Sequence, residues 1–443
     1  MKLPAGPQTP QSIRLLRSIF YPSETLEAYA RRYGDMFCLR APSGAPMVVC
    51  SNPKYIQQIF SNPGLFDSGS GNLLLEFLLG DQSLILLDGD RHQRQRQLLT
   101  PPFHGERMRA YGELIWKITE QVINQWKPGQ PFTVRISMQS ITLQVILQAV
   151  FGLAEGERFE QLKQLLTELL ESISSPLSAS LLFFPILRKD WGAWSPWGKF
   201  LRLKQQVAEL LYAEIRERRS QSDSSRTDIL SLLLAARDQE GQPMSDDELH
   251  DELMTLLVAG HETTASALSW ALYWVFTQPG VLDKLLQELD ALGNERNPMA
   301  IAQLPYLSAI CQETLRLYPI AMFAFPRIVK APITWEEYEF EPGVWLVPCI
   351  YLLHQRPDVY PEPKQFKPER FLERQFSPFE YVPFGGSNRR CIGMAFAQFE
   401  MKLVLAAIAS RFHLTPLRQH RVRPVRRGLT LAPPANLQMV VTP

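Results

Sequence analysis

One thiol in this chain stands where chemistry could use it. Near the C-terminus the sequence reads Phe384-Gly385-Gly386-Ser387-Asn388-Arg389-Arg390-Cys391-Ile392-Gly393, and residues 394–408 are strongly helical in composition. Cys391 therefore lies between a glycine-rich loop and a helix N-terminus, with two arginines before it. Backbone N–H groups and the helix dipole at such a place favour a thiolate, which is a nucleophile or a metal ligand. The glycines allow the backbone to lie close to something flat. Isolated cysteines are commonly buried apolar residues, but two cations, a turn and no apolar run are the wrong setting for that. A cysteine protease would need a partner histidine, and none lies near in sequence, although such partners need only meet in space.

A second constellation is Ala259-Gly260-His261-Glu262-Thr263-Thr264. Glycine costs a helix interior about 1 kcal/mol relative to alanine, and a Glu-Thr pair is poorly placed in a core. A surface turn would explain it blandly. A functional reading is a ligand pressed against small residues, with an acid and an alcohol available for proton transfer. The element that must carry these residues is long. Ser245 with Glu248 reads as a capping box, the apolar pattern runs to about Thr277, and Gln278-Pro279-Gly280 stops it. Some thirty residues at 1.5 Å each span roughly 45 Å, enough to cross a domain at its centre.

Helical periodicity dominates from about 105 to 320, with apolar spacing over 107–125, 141–150, 159–172, 200–219, 228–236 and 246–277. Short strand-like pieces lie mostly outside it: 36–39 with 47–50 as a hairpin, then 333–335, 344–348 and 437–441. The polar stretch 220–227 reads as a loop. No linker or repeat divides the chain, so one mainly α domain over 1–443 with small β regions is expected. Its parts would be a β-rich stretch at about 1–65, a helical core at about 72–320 and a mixed region at about 321–443.

Composition narrows the function classes. The 443 residues are 45% hydrophobic and 21% charged, an ordinary globular balance that excludes a disordered chain. With 46 Lys+Arg against 45 Asp+Glu, nothing global draws the protein to nucleic acid or an anionic membrane. Thirty-five prolines demand many sharp stops between elements. Five widely spaced cysteines without a Cys-x-x-Cys argue against a disulfide framework or structural zinc, and fit a reducing compartment. The first ten residues contain no apolar run, and no stretch approaches the roughly 18 apolar residues of a spanning helix, so a cytoplasmic monomer without an integral membrane anchor is expected.

Taken with the cysteine loop, four segments in order give the chain a resemblance to the cytochrome P450 family of haem-thiolate monooxygenases, over essentially its whole length. Phe384 to Gly393 resembles the haem-binding loop, with Ser387 where the family usually has glycine. Ala259 to Thr264 is similar to the oxygen-activation segment of the long central helix. Glu313-Thr314-Leu315-Arg316 resembles the Glu-x-x-Arg motif, and Pro368-Glu369-Arg370-Phe371 the segment supplying its third partner. The resemblance implies a triangular helical domain around a buried haem b, with Cys391 as the iron ligand. A thiolate there pushes electron density toward the iron and favours O–O cleavage, a case the family itself exemplifies.

Further roles follow from the resemblance. Glu262 would relay protons and Thr263 would bond the dioxygen, while Ala259 and Gly260 leave room over the macrocycle, with a local widening of the helix. His92, Arg96, Arg327 and Arg389 would meet the haem propionates, and Phe384 would lie along the haem. Glu313, Arg316 and Arg370 would form a structural triad. Segments 71–87, 181–197, 256–263, 320–325 and 429–432 would face an apolar substrate such as a fatty acid or terpenoid. Trp191, Trp194 and Trp197 would line its entrance. The chain leaves no room for a fused flavin reductase, so electrons from NAD(P)H would arrive through a ferredoxin or flavodoxin and its reductase, docked over Arg389 and Arg390. The alternatives are a peroxide-driven haem-thiolate enzyme, against which the Glu262–Thr263 pair speaks, and a non-catalytic haem sensor or carrier.

Overall fold

The computed structural model describes residues 2–41, 43–103, 105, 107–152, 155–174, 188–192, 195–221, 226–293, 297–418, 422–428 and 430–442. Helices of nine or more residues form where apolar side chains recur at helical spacing. In chain order they are α1 (Gln11–Phe20), α2 (Pro22–Tyr33), α3 (Pro53–Ser61), α4 (Gly89–Leu99), α5 (Arg107–Ile123) and α6 (Val134–Phe151). There follow α7 (Glu157–Ser174), α8 (Pro196–Ser220), α9 (Asp246–Thr277), α10 (Val281–Asp290), α11 (Pro305–Leu317) and α12 (Met394–Ala409).

The long helix α9 is the axis of the molecule. Ser245 Oγ accepts the Glu248 N–H and the Glu248 carboxylate accepts the Ser245 N–H, so the expected capping box is formed. Helix α9 packs on α6, α8, α11 and α12, and Leu249, Leu253, Leu257, Leu268 and Leu272 have essentially no exposed surface. Burying each such side chain contributes roughly 1.5–3 kcal/mol, which is why the helix is apolar on most sides. Helix α6 is apolar and long enough to cross a membrane, yet 67% of it is buried in the protein, as befits the partner of a central helix.

Strands are short and peripheral. Met36–Arg40 (β1) and Pro46–Cys50 (β2) form the expected hairpin. Strand β2 continues in parallel register with Trp345–Pro348 (β8), which pairs antiparallel with Arg327–Val329 (β5), and β5 with Phe66–Asp67 (β3). Pro131–Thr133 (β4), Gln438–Thr442 (β12) and His413–Pro416 (β9) make a second sheet, Ile333–Trp335 (β6) with Tyr338–Phe340 (β7) a hairpin, and Val425–Arg427 (β10) with Thr430–Ala432 (β11) another. The first sheet has a direct consequence for the site: pairing of β3 with β5 sets Ser68, just after β3, beside Arg327.

Some elements depart from the sequence reading. Residues 1–65 carry α1, α2 and α3 beside β1 and β2, so this stretch holds more helix than strand. Helix α6 begins at Val134, seven residues before the apolar periodicity becomes regular. Helix α9 runs as an unbroken α-helix through Gly260, with no widened turn. Part of the 220–227 loop, at 222–225, lies outside the described residues.

Candidate functional site

The cysteine loop is built by close approach. Gly385 has φ +68, and Gly386 lies so near the Phe60 ring that a Cβ there would fall 2.3 Å from it. The flat object against Gly386 is thus an aromatic side chain of α3. Ser387 takes φ 61, the left-handed region that L side chains rarely adopt. The turn then closes with the Cys391 N–H donating to Phe384 O at 2.9 Å. Phe384 packs half-buried on the main core, and α12 starts three residues after Cys391. Cys391 has accessible surface but lies deep in the structure, so loss of water raises its thiol pKa; the Gly393 N–H and the Arg96 charge pull it back. Cys50, Cys311 and Cys349 are buried among apolar groups, with thiols pushed to about 12 or above by desolvation, and Cys38 is raised for the same reason.

Beside this loop the chain concentrates positive charge. His92 and Arg96 are one turn apart on α4, and Arg327 on β5 is buried. Arg327 donates to Phe325 O at 2.8 Å, Gly386 O at 3.2 Å and Ser68 Oγ at 3.3 Å, while its Nε has no partner. Arg389 pairs with Asp88, whose carboxylate also accepts the Ser68 and Gly69 N–H groups. Burial, with the charges of Arg389, Arg96 and Arg327 and against the pull of Asp88, lowers the His92 pKa to about 4. Burial and Arg389 likewise lower Arg327 to about 10. Four basic side chains with one carboxylate among them make a site that wants anions.

Residues 259–264 divide between two directions. Ala259 is exposed and Thr263, one turn on, is half-buried, in a helix otherwise buried over most of its length. Thr263 Oγ1 donates to Ala259 O at 2.5 Å, which leaves the hydroxyl oxygen as an acceptor. Gly260 faces α6, where a Cβ would meet Ile146 at 2.9 Å; its smallness admits a neighbouring helix. Glu262 is buried, accepting from Arg135 Nη2 and Gln139 Nε2 at 2.7 Å each, with Arg427 at 4.0 Å. His261, given no role, is buried against Thr142 Oγ1 at 2.9 Å.

The triad is fully formed. Arg316 grips Glu313 with Nε at 2.6 Å and Nη2 at 2.9 Å, and Arg370 Nε adds a third bond at 3.0 Å. The Lys367 N–H donates to the same carboxylate, and Arg316 also reaches the carbonyls of His354, Pro363 and Gln365. This ties α11 to residues 354–370.

The remaining expected positions have these surroundings. Leu78 and Met322 are buried core residues, and Phe77 packs on Trp197 and Phe200. Trp197 is therefore an aromatic-cluster residue, Trp191 is exposed, and Trp194, Phe183, Phe184 and Leu429 lie outside the described residues. The Arg389 side chain is only 6% exposed and committed to Asp88, so it cannot meet a docking protein; Arg390 is exposed and can. Asp88, Ser68, Arg135, Gln139 and Arg427 were not singled out from sequence. Each lies far along the chain from its partner, and none carries a local motif.

A thiol at a turn before a helix, beside surplus buried cations, is the donor set of a haem-thiolate site. The donor set fits haem b: one sulfur for iron, and basic groups with an orphaned Arg327 Nε for two propionates. The cytochrome P450 family model matches residues 15–441. Cytochrome P450 135B1 of Mycobacterium tuberculosis is 36% identical over 98% of this chain and 90% of its own length. Cytochrome P450 138 of the same species is 34% identical over 98% of this chain and 95% of its own length. Among solved structures, cyanobacterial CYP120A1 bound to retinoic acid has a TM-score of 0.85 at 26% identity, covering 99% of both chains. The haem domain of cytochrome P450DA superposes at TM-score 0.85 with 23% identity over 99% of this chain and 97% of its own, a likeness of fold alone. The chain belongs to the cytochrome P450 family, and is a monooxygenase with cysteine-ligated haem b that uses O2 and electrons from redox partners.

Proposed function

We propose that the enzyme hydroxylates a long apolar substrate, a fatty acid or a terpenoid acid, at the end remote from its charged group. When bound, the haem supplies activation of dioxygen and insertion of one oxygen atom into a C–H bond. In this reading Cys391 holds the iron, and His92, Arg96 and Arg327 hold the propionates, with Arg389 set by Asp88. Thr263, its own hydrogen donated to Ala259 O, would offer its oxygen as a hydrogen-bond acceptor during oxygen activation, and Ala259 would keep space beside it. Glu262, held by Arg135 and Gln139, is the carboxylate that would relay protons, taking one up and passing it on.

The observation that carries the substrate class is the retinoic acid bound to a structural relative that superposes over 99% of this chain. Retinoic acid is a terpenoid with a carboxylate at one end. Burial of an apolar chain contributes roughly 0.8 kcal/mol per CH₂, whereas an unpaired buried carboxylate is costly. The head group would therefore stay near solvent, with Arg188, which stands over Phe77 and Trp197 at 4.6 and 5.7 Å, as the cation proposed to meet it, and the tail would reach the iron. Electrons come from a ferredoxin or flavodoxin that docks over the exposed Arg390, one residue before the ligand, in a cytoplasmic, monomeric enzyme.

Optical binding spectra across a chain-length series of fatty acids and retinoids test this, with regiochemistry read by mass spectrometry. Affinity is expected to rise with chain length and attack to fall near the apolar end. Preference for short polar compounds, or attack beside the carboxylate, would reject the substrate class.

A further inference from the structure

Helix α1 carries apolar side chains on its outer face. Ile19 is turned inward and buried, Thr25 Oγ1 donates to Arg17 O, and Arg426 donates to Ser18 O, so this side is anchored to α2 and β10. On the outward side Ile13, Leu16 and Phe20 are 44%, 52% and 62% exposed, and Tyr21 beyond the helix end is 59% exposed. Successive helical residues are about 100° apart, so Leu16, Phe20, Ile13 and Arg17 share an arc of roughly 100°. Four large apolar side chains within residues 13–21 are the densest such group among the described residues; the others in the exposed class are scattered singly.

The charge around them is positive, although the chain as a whole is nearly neutral. Residues 11–33 contain Arg14, Arg17, Arg31 and Arg32 against Glu24 and Glu27, and Glu27 is engaged by Lys364. The adjoining segment 422–427 adds Arg423, with Arg426 held against Ser18 O and Arg427 turned to Glu262, and Arg17 and Arg423 are exposed. An exposed apolar stripe flanked by arginines is complementary to a surface that offers hydrocarbon behind negative charge. A second copy of the chain fits less well, because a two-fold contact through this face would set Arg17 and its neighbours against their own images.

We propose that α1, with the Val425–Arg427 strand behind it, is a docking face for the surface of an anionic lipid bilayer, on which the enzyme rests without spanning it. Ile13, Leu16, Phe20 and Tyr21 enter the headgroup boundary, and Arg17 and Arg423 meet lipid phosphates. Such docking lies outside the oxidation chemistry and does not depend on the substrate class, although an apolar substrate would be drawn from the same layer.

Flotation of the full-length, haem-loaded protein tests it, with vesicles of phosphatidylcholine alone and of phosphatidylcholine mixed with phosphatidylglycerol. The protein is expected to float with the anionic vesicles and to be released by salt. The double substitution Leu16→Ser with Phe20→Ser should weaken binding on the order of tenfold, with the red-shifted Soret band of the reduced carbon monoxide complex retained as the check of folding. Arg17→Gln with Arg423→Gln should reduce the preference for anionic over neutral vesicles, and decides the matter alone should the serine variant lose its haem. Absence of flotation with anionic vesicles, or unchanged binding by the folded variants, would overturn the proposal. So would a dimer in light scattering that the serine variant dissolves, since the face would then belong to a second copy.

Discussion

Thr263 donates its hydroxyl hydrogen to the carbonyl one turn earlier, so its oxygen is aimed outward as an acceptor only. A group that holds a bond-accepting position while protons arrive should affect coupling more than turnover. Thr263→Ala is expected to keep consuming NAD(P)H while releasing more hydrogen peroxide and less product; unchanged product per NAD(P)H oxidised would move the role elsewhere. Ser387 raises a different question, because it bears a side chain at φ 61. A left-handed L residue costs roughly 1–2 kcal/mol, partly offset by the greater chain entropy that glycine loses on folding. Ser387→Gly should therefore raise stability by up to about 1 kcal/mol, read from the thermal midpoint of the haem-loaded protein. At this scale Cys391, Thr263 and the triad were legible because a short motif surrounds each of them. Arg135 was not, since it sits in an apolar helix and meets Glu262 from 127 positions away. Asp88 was passed over for a similar reason: its partners Ser68 and Arg389 are 20 and 301 positions off.

Between elements, buried carboxylates act as fasteners. Glu313 accepts four donors, from Arg316, Arg370 and Lys367, with no exposed surface. Glu313→Gln would leave two guanidinium groups buried without their counter-charge, at a cost of roughly 3–5 kcal/mol. Loss of haem retention is the expected reading in absorbance, with no selective change in coupling. Glu252 on α9 fastens a different segment: its carboxyl accepts the Leu84 N–H at 2.7 Å, next to Thr255 bonded to Ser83 and Asp251 bonded to the Gln82 N–H. Desolvation, opposed by the Leu84 N–H and reinforced by Asp251 and Glu248, pushes its pKa to about 8. The folded protein thus holds a proton that the unfolded chain releases near 4.5, so Glu252 lowers stability progressively as pH rises from about 4.5 to about 8. Glu252→Gln should flatten that part of the curve and leave the variant the more stable form at pH above 8. An unaltered slope in thermal midpoint against pH would refute the assignment. The ends of α9 were readable from its capping box and its Pro-Gly stop, whereas α1 to α3 were not, because short helices between prolines give too few turns for periodicity to show.

For the molecule as a whole, the geometry gathers distant parts around one thiol. Arg327 arrives on a sheet, His92 and Arg96 on α4, and Arg389 in the cysteine loop, and the Asp88 carboxylate acts on His92, Arg327 and Arg389 together. Sequence order alone identified these residues through a family likeness, while their convergence is a property of the β3–β5 pairing and of α4. The central claim is that Cys391, alone among five cysteines, binds haem iron as a thiolate. The other four lack its loop: Cys38 and Cys50 lie in β1 and β2, Cys311 in α11, and Cys349 has no exposed surface. The most direct measurement is the absorption spectrum of the reduced carbon monoxide complex, taken on the parent protein and on Cys391→His. The parent should show the red-shifted Soret band of a thiolate ligand and the variant should lack it, whether or not the variant retains haem. Survival of that band in Cys391→His would contradict the assignment.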